Sequence, residues 1–229
     1  MTLSAEPASV HPAAAAIEVI PTGAALGAEV KGGDFRNLDD TALSRVLQAW
    51  HDHSVLLVRG QTLSDQELMA FSRRFGDLDW APIQETGRRF VEGLPEIWIV
   101  SNVKVNGEPI GSLGDGEAVW HTDMSYLDDP PKASMLYAIE VPKTGGNTGF
   151  SNMYRAYECL PEELKQRLDG LRIKHDGTYN SVGYVRQGIA PTDDPVTSHG
   201  TVHPLVCKHA VTGRCMLYLG RRRNAYLVG

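Results

Sequence analysis

The apolar runs of this 229-residue chain are short, and glycine and proline recur between them, with 23 glycines and 13 prolines in all. The densest run, residues 55–58, is the size of a strand, and nothing approaches the roughly 20 residues that span a bilayer. Punctuation of this kind predicts many short strands rather than long helices.

Read in order, residues 17–20 and 28–30 are β-like pieces separated by Pro21 and Gly23, and a helix runs from Asp39 or Asp40 to about Trp50. His51 and His53 flank Asp52 at metal-like spacing, but they sit at the helix end, where cationic residues suit the dipole. Residues 55–59 form a strand. Ser64 and Glu67 make a capping box, and Leu68, Phe71 and Phe75 line one helix face before a stop at Gly76. From Ala81 to Gly116 loop residues dominate, around one strand at 97–100 and an Asn106-Gly107 pair suited to a hairpin turn.

Residues 119–124, 134–141 and 148–151 read as strands, with a turn at Gly145-Gly146. A helix that starts near Pro161 carries Leu164, Leu168 and Leu171, and residues 171–175 are strand-like. The polar stretch 176–200 is irregular and suits a lid, and 202–207 with 215–219 flank Thr212-Gly213 as a hairpin. The four tryptophans are read as mostly core. Strands with a few helices in the first half predict a β-sandwich or barrel decorated by helices, not an alternating βαβ series.

With 42% hydrophobic and 22% charged residues the chain can bury one sizeable core. A net charge of -6 offers no field for polyanions, which argues against nucleic acid and for a small-molecule partner. Cys159, Cys207 and Cys215 are an odd set without C-x-x-C spacing, so neither a disulfide framework nor a zinc cluster is expected, and a reduced, cytoplasmic chain is. Residues 1–16 lack a basic segment and hold only a four-alanine run, so they read as a loose tail rather than a signal peptide. No membrane partner is expected. Oligomeric state is open, a homo-oligomer included.

Trp120-His121-Thr122-Asp123 carries the chemistry. On a strand, residues two apart point the same way, so the His121 imidazole and the Asp123 carboxylate should project side by side. An imidazole, a carboxylate and one further His form the three-ligand face of a non-haem Fe(II) site, which leaves three positions open. H-x-D alone also arises by chance, and a surface His bonded to a nearby acid fits it too.

The surroundings resemble the taurine dioxygenase and 2,4-dichlorophenoxyacetate dioxygenase family. The matching residues are Trp120-His121-Thr122-Asp123, Pro130-Pro131, Ser134-Met135-Leu136, Gly145-Gly146-Asn147-Thr148, Asn152-Met153, Ala156-Tyr157, Leu160-Pro161 and Gly170-Leu171. Upstream, residues 56–61 and Arg74-Phe75-Gly76 are similar as well, and downstream His203-Pro204 and Thr212-Gly213-Arg214. The resemblance implies a double-stranded β-helix, or jelly roll, over one dioxygenase domain at 17–229, incomplete at its C-terminus. It implies Fe(II) on His121 and Asp123, and 2-oxoglutarate as cosubstrate with a carboxylate on Thr148. Without it, Thr148 reads as an ordinary β-branched strand residue.

The family pattern also needs a distal histidine and an arginine for 2-oxoglutarate. His175, His199, His203 and His209 lie too early in the chain for that position, so structural or exposed roles are expected for them, and the missing ligands are expected beyond Gly229. Positions that hold taurine in similar enzymes are Ala81, Gln84 and Glu117 here, where a lost donor and a gained carboxylate disfavour a sulfonate. The expected reaction is therefore dioxygen-dependent hydroxylation of a small organic anion. An aryloxyalkanoate such as 2,4-dichlorophenoxyacetate is favoured, as in aromatic compound catabolism, over another carboxylate or an alkyl sulfonate or sulfate. Competing readings are an inactive jelly-roll binding module and a zinc hydrolase. Arg221, Arg222 and Arg223 suit a solvated turn better than a steering patch.

Overall fold

The structure, a computed structural model, describes residues 16–114, 116, 119–220 and 225–228. The tail expected at 1–16, apart from its last residue, and the basic run at 221–223 lie outside the described residues. The chain divides between Leu63 and Ser64 into two compact units.

In the first unit, β1 (Glu18–Pro21) pairs antiparallel with β2 (Ala28–Lys31). Helix α1 (Asp40–His53) follows, and β3 (Leu56–Val58) then returns parallel to β2. Asp39 starts the helix by accepting the Ala42 N–H at 2.7 Å, satisfying one orphan donor of the first turn. Ser54, at φ 67°, ends it and donates its N–H to the Trp50 carbonyl. Ala42, Val46 and Ala49 recur at helical spacing and are buried, along with Ile17, Ala28, Val30, Phe35 and Leu38.

The second unit opens with α2 (Asp65–Ser72), where the expected capping box is formed: Ser64 N–H donates to Glu67 Oε2 at 2.7 Å and Glu67 N–H to Ser64 Oγ at 3.3 Å. A 3₁₀ turn, Arg73–Phe75, leads to Gly76, whose φ of 147° ends the segment. Six short strands follow: β4 (Phe90–Val91), β5 (Leu94–Trp98), β6 (Val100–Ser101), β7 (Lys104–Val105), β8 (Glu108–Pro109) and β9 (Ser112–Leu113). Asn106 (φ 54°) and Gly107 (φ 85°) link β7 to β8 with both residues left-handed, as a two-residue hairpin requires.

Helix α3 (Met153–Glu158) was not legible from periodicity; Asn152 caps it by accepting the Tyr154 and Arg155 N–H groups at 3.0 Å each. Helix α4 (Glu162–Leu168) follows Pro161. Five further strands follow: β10 (Arg172–Asp176), β11 (Gly200–Pro204), β12 (Val206–Lys208), β13 (Cys215–Leu217) and β14 (Ala225–Val228). β10 is central, antiparallel to β11 and β14, while β12 and β13 form the expected hairpin. The single strand expected at 202–207 is split, because Leu205 turns inward and its backbone pairs with Leu171 and Tyr218. Ile173, Leu205 and Leu217 form a core against which Met153, Ala156, Tyr157 and Leu168 pack. Each fully buried aliphatic side chain of this kind stabilises the fold by about 1.5–3 kcal/mol.

Three expected strands are absent among the described residues. Val119 donates a single backbone bond to Ser181 O at 3.1 Å, and Met124 leaves the β region at φ 47°, so 119–124 builds no ladder. Residues 134–141 and 148–151 are likewise without a ladder partner among the described residues, and Ile139 is 89% exposed. Gly145 and Gly146 make the expected turn, both left-handed. Two tryptophans depart from the core assignment: Trp80 and Trp120 are exposed, Trp80 with the Arg88 guanidinium 5.3 Å from its ring centre. Among the described residues no helix is long and apolar enough to cross a membrane.

Candidate active site

His121 and Asp123 converge, although not on a strand. Two residues apart, their side chains meet, and His121 Nε2 lies 3.0 Å from Asp123 Oδ1. A turn begins at Asp123 and is closed by the Leu127 N–H on the Met124 carbonyl at 3.0 Å, with Met124 held left-handed. A non-glycine residue in that region is costly, and such positions cluster where a chain must aim side chains.

The protonation of this pair follows from its partners. His121 Nδ1 is 2.7 Å from the Val119 carbonyl, which can only accept, so Nδ1 carries a hydrogen. In a neutral imidazole Nε2 then presents a lone pair to a carboxylate oxygen. Two lone pairs at 3.0 Å repel unless a cation lies between them, either a proton on Nε2 or a metal ion. Donors about 2.1 Å from a first-row divalent ion at right angles are themselves about 3.0 Å apart, so the spacing fits two neighbouring positions on such an ion. Asp123 Oδ2 accepts the Ser134 hydroxyl at 2.6 Å, which fixes the carboxylate and leaves Oδ1 as the outward donor. The His121 hydrogen bond holds the Asp123 carboxyl below its usual range; partial burial opposes this and the Ser134 bond adds to it. Both side chains remain partly open to solvent, at 30% and 48% exposure.

The pair lines a pocket whose wall also holds Gln84, Trp98, Tyr126, Ser134, His175, Asp176, Tyr179 and Arg186. Among the described residues no third His, Cys, Asp or Glu gathers with the pair into a metal-binding group. His175, on β10, is 2% exposed, stacks on Tyr218 with ring centres 4.9 Å apart, and meets His203 edge-on at 5.1 Å. Among the described residues neither of its ring nitrogens has a hydrogen-bond partner. Burial, with the nearby His203 adding, depresses it to about 4; the Tyr218 backbone favours the charged form weakly without reaching hydrogen-bond geometry. The same dry surroundings push the Tyr218 hydroxyl up to about 12. His203 Nε2 reaches the Ser125 and Leu127 carbonyls at 3.0 Å, His199 lies beside Tyr126, and His209 Nδ1 accepts from Val211 and Thr212 in a turn.

Of the residues expected to contact substrate, Gln84 lines the pocket, 2% exposed, with its Oε1 buried and unpartnered. Ala81 is buried beside the wall, its N–H on the Pro95 carbonyl at 2.8 Å, and is not among the lining residues. Glu117 lies outside the described residues. Thr148 is exposed and does not line the pocket. Sequence reasoning missed Trp98, Tyr126, Tyr179 and Arg186. The last two belong to the segment expected to act as a lid, whose first half is in fact pocket wall.

The sequence matches the family described as taurine catabolism dioxygenase TauD, TfdA family, over residues 18–229. It is 35% identical over 216 residues to pentalenolactone F synthase of Streptomyces avermitilis, covering 86% of this chain and 68% of that protein. It is 30% identical over 224 residues to the (S)-phenoxypropionate/alpha-ketoglutarate-dioxygenase of Sphingobium herbicidovorans, covering 92% and 72%. A taurine dioxygenase from Burkholderia xenovorans of known crystal structure superposes with a TM-score of 0.71 at 30% identity, over 93% of this chain and 66% of that one. The chain thus spans roughly two thirds to three quarters of the length of these relatives. With a family match over residues 18–229 and a β-rich fold shared with such a structure, the chain belongs to the TauD/TfdA family of Fe(II)- and 2-oxoglutarate-dependent dioxygenases.

Proposed function

We propose that this protein hydroxylates a small organic anion, an aryloxyalkanoate such as 2,4-dichlorophenoxyacetate, with release of succinate and CO2. The observation that carries the reading is the facing of His121 Nε2 and Asp123 Oδ1 at 3.0 Å with Nδ1 already donating to Val119. Those atoms would hold Fe(II). The bound metal, with 2-oxoglutarate and dioxygen, supplies the oxidising chemistry. The chain's own residues orient and surround: Ser134 fixes the carboxylate, and Trp98, Tyr126 and Tyr179 give the pocket an aromatic wall.

Thr148 is assigned to a 2-oxoglutarate carboxylate through its place in the Gly145-Gly146-Asn147-Thr148 match. The reach of the family match across both compact units supports treating 17–229 as one functional domain. Similarity to a phenoxypropionate dioxygenase supports an aryloxyalkanoate. The higher identity to pentalenolactone F synthase favours a second reading, an organic substrate outside the aryloxyalkanoates. Succinate release from 2-oxoglutarate, with Fe(II) and ascorbate present, tests both. It should accelerate with 2,4-dichlorophenoxyacetate more than with taurine; equal or greater acceleration by taurine contradicts the substrate assignment.

A further inference from the structure

Arg186 is a cation set into the pocket wall with no ion-pair partner among the described residues. Its Nη1 donates to the Ile83 carbonyl at 2.6 Å, and its guanidinium carbon lies 4.6 Å from the centre of the Tyr126 ring. Nε is buried with no acceptor among the described residues. Among the described residues no carboxylate lies within ion-pair distance; Glu85, the acid that acts on it from further away, accepts from Asn180 Nδ2 at 2.6 Å. Burial lowers the Arg186 pKa, as expected for a partly desolvated cation.

The chain around Arg186 is held on several sides. Its N–H donates to the Thr178 carbonyl at 2.9 Å, and Gln187 N–H donates to the Gln84 carbonyl at 3.0 Å. Tyr179 and Val185 form a bridge, and Asn180 Oδ1 accepts from Val182 and Tyr184. The guanidinium is thus held on a braced loop, with Nε, which lies on the edge that receives a carboxylate bidentately, unmatched among the described residues. Trp98 lines the same pocket, and its indole Nε1 is a second buried donor without an acceptor. Two donors lacking acceptors on one pocket wall call for acceptor atoms from a ligand. The aromatic side chains that line the same pocket suit an apolar body on that ligand.

We propose that Arg186 receives the acid group of the primary substrate, with the substrate's ring against Tyr126 and Trp98, which makes Arg186 the residue that selects an anion over its neutral analogue. The inference rests on the proposed function in taking the pocket for the substrate site. The discriminating measurement is calorimetric binding of phenoxyacetate and of phenoxyacetamide to the full chain, with Fe(II) and 2-oxoglutarate present and oxygen excluded. Wild type should bind the acid about 10- to 100-fold more tightly than the amide, the range of a hydrogen bond to a charged group. Arg186→Gln should bind the two about equally, with 2-oxoglutarate affinity unchanged, and Arg186→Lys should keep part of the preference.

No acid preference in wild type overturns the inference. So does equal weakening of acid and amide in Arg186→Gln, the mark of a structural role, or a loss confined to 2-oxoglutarate. If Arg186→Gln does not fold, Arg186→Lys decides, since an undiminished preference there contradicts bidentate capture. Succinate release is read separately: an acid preference that depends on Arg186 but drives no succinate release supports this inference while removing aryloxyalkanoate turnover.

Discussion

Lowering the pH from 7 to 4 should destabilise the wild-type chain by about 3 kcal/mol more than a His175→Phe variant. His175 is 2% exposed, neither ring nitrogen has a partner among the described residues, and its pKa falls from 6.5 to about 4 on folding. In the unfolded chain it takes up a proton as the pH falls through 6.5, while in the folded chain it stays neutral to about 4. The unfolded state therefore binds more protons throughout that window, so stability falls with pH across it and the loss is complete below about 4. A shift of two to three units at about 1.36 kcal/mol each sets the magnitude. Phenylalanine keeps a ring to stack on Tyr218 and removes the titration. Urea denaturation of both proteins at pH 7, 6, 5 and 4.2, followed by tryptophan fluorescence, isolates the difference from the carboxylates that titrate in both. Parallel loss of stability in the two proteins would refute the reasoning, because it would mean that His175 charges in the folded state without penalty.

Ser134→Ala removes the bond that holds Asp123 Oδ2, so Fe(II) affinity measured by calorimetry should fall about 10-fold with the fold intact. Gly177→Ala would place a Cβ 2.6 Å from the Tyr126 ring, so the ring must move; a stability loss of about 1–3 kcal/mol in urea is expected, together with a weaker preference for phenoxyacetate over its amide. Ser64→Ala breaks the capping box of α2 and should cost about 1 kcal/mol, seen as a lower thermal midpoint, with no effect on metal binding.

The features legible from sequence are those fixed within a few residues. The capping box at Ser64 and Glu67, the Asn106-Gly107 turn and the stop at Gly76 depend on local backbone chemistry alone, and all three are present. His121 and Asp123 meet at 3.0 Å as their spacing suggested, but without the strand from which that convergence was argued. What failed was assigning strands to 119–124, 134–141 and 148–151, because a strand needs a partner and alternation names none. Arg186 and Tyr126 lie 60 positions apart (186 − 126), and only the fold brings that guanidinium over that ring. Residue 175 was legible as part of a strand, but the burial that depresses its pKa comes with packing against Tyr218, just after β13, and His203 on β11.

Anaerobic Fe(II) titration with and without 2-oxoglutarate tests most directly whether His121 and Asp123 form a metal site. The protein should bind one equivalent of Fe(II), more tightly when 2-oxoglutarate is present. Asp123→Ala and His121→Ala should each lose that binding, and with it succinate release, while the Asp176→Asn control, altered at an acid on the same pocket wall, keeps both. Undiminished Fe(II) binding and succinate release in Asp123→Ala would contradict the account and place the metal elsewhere.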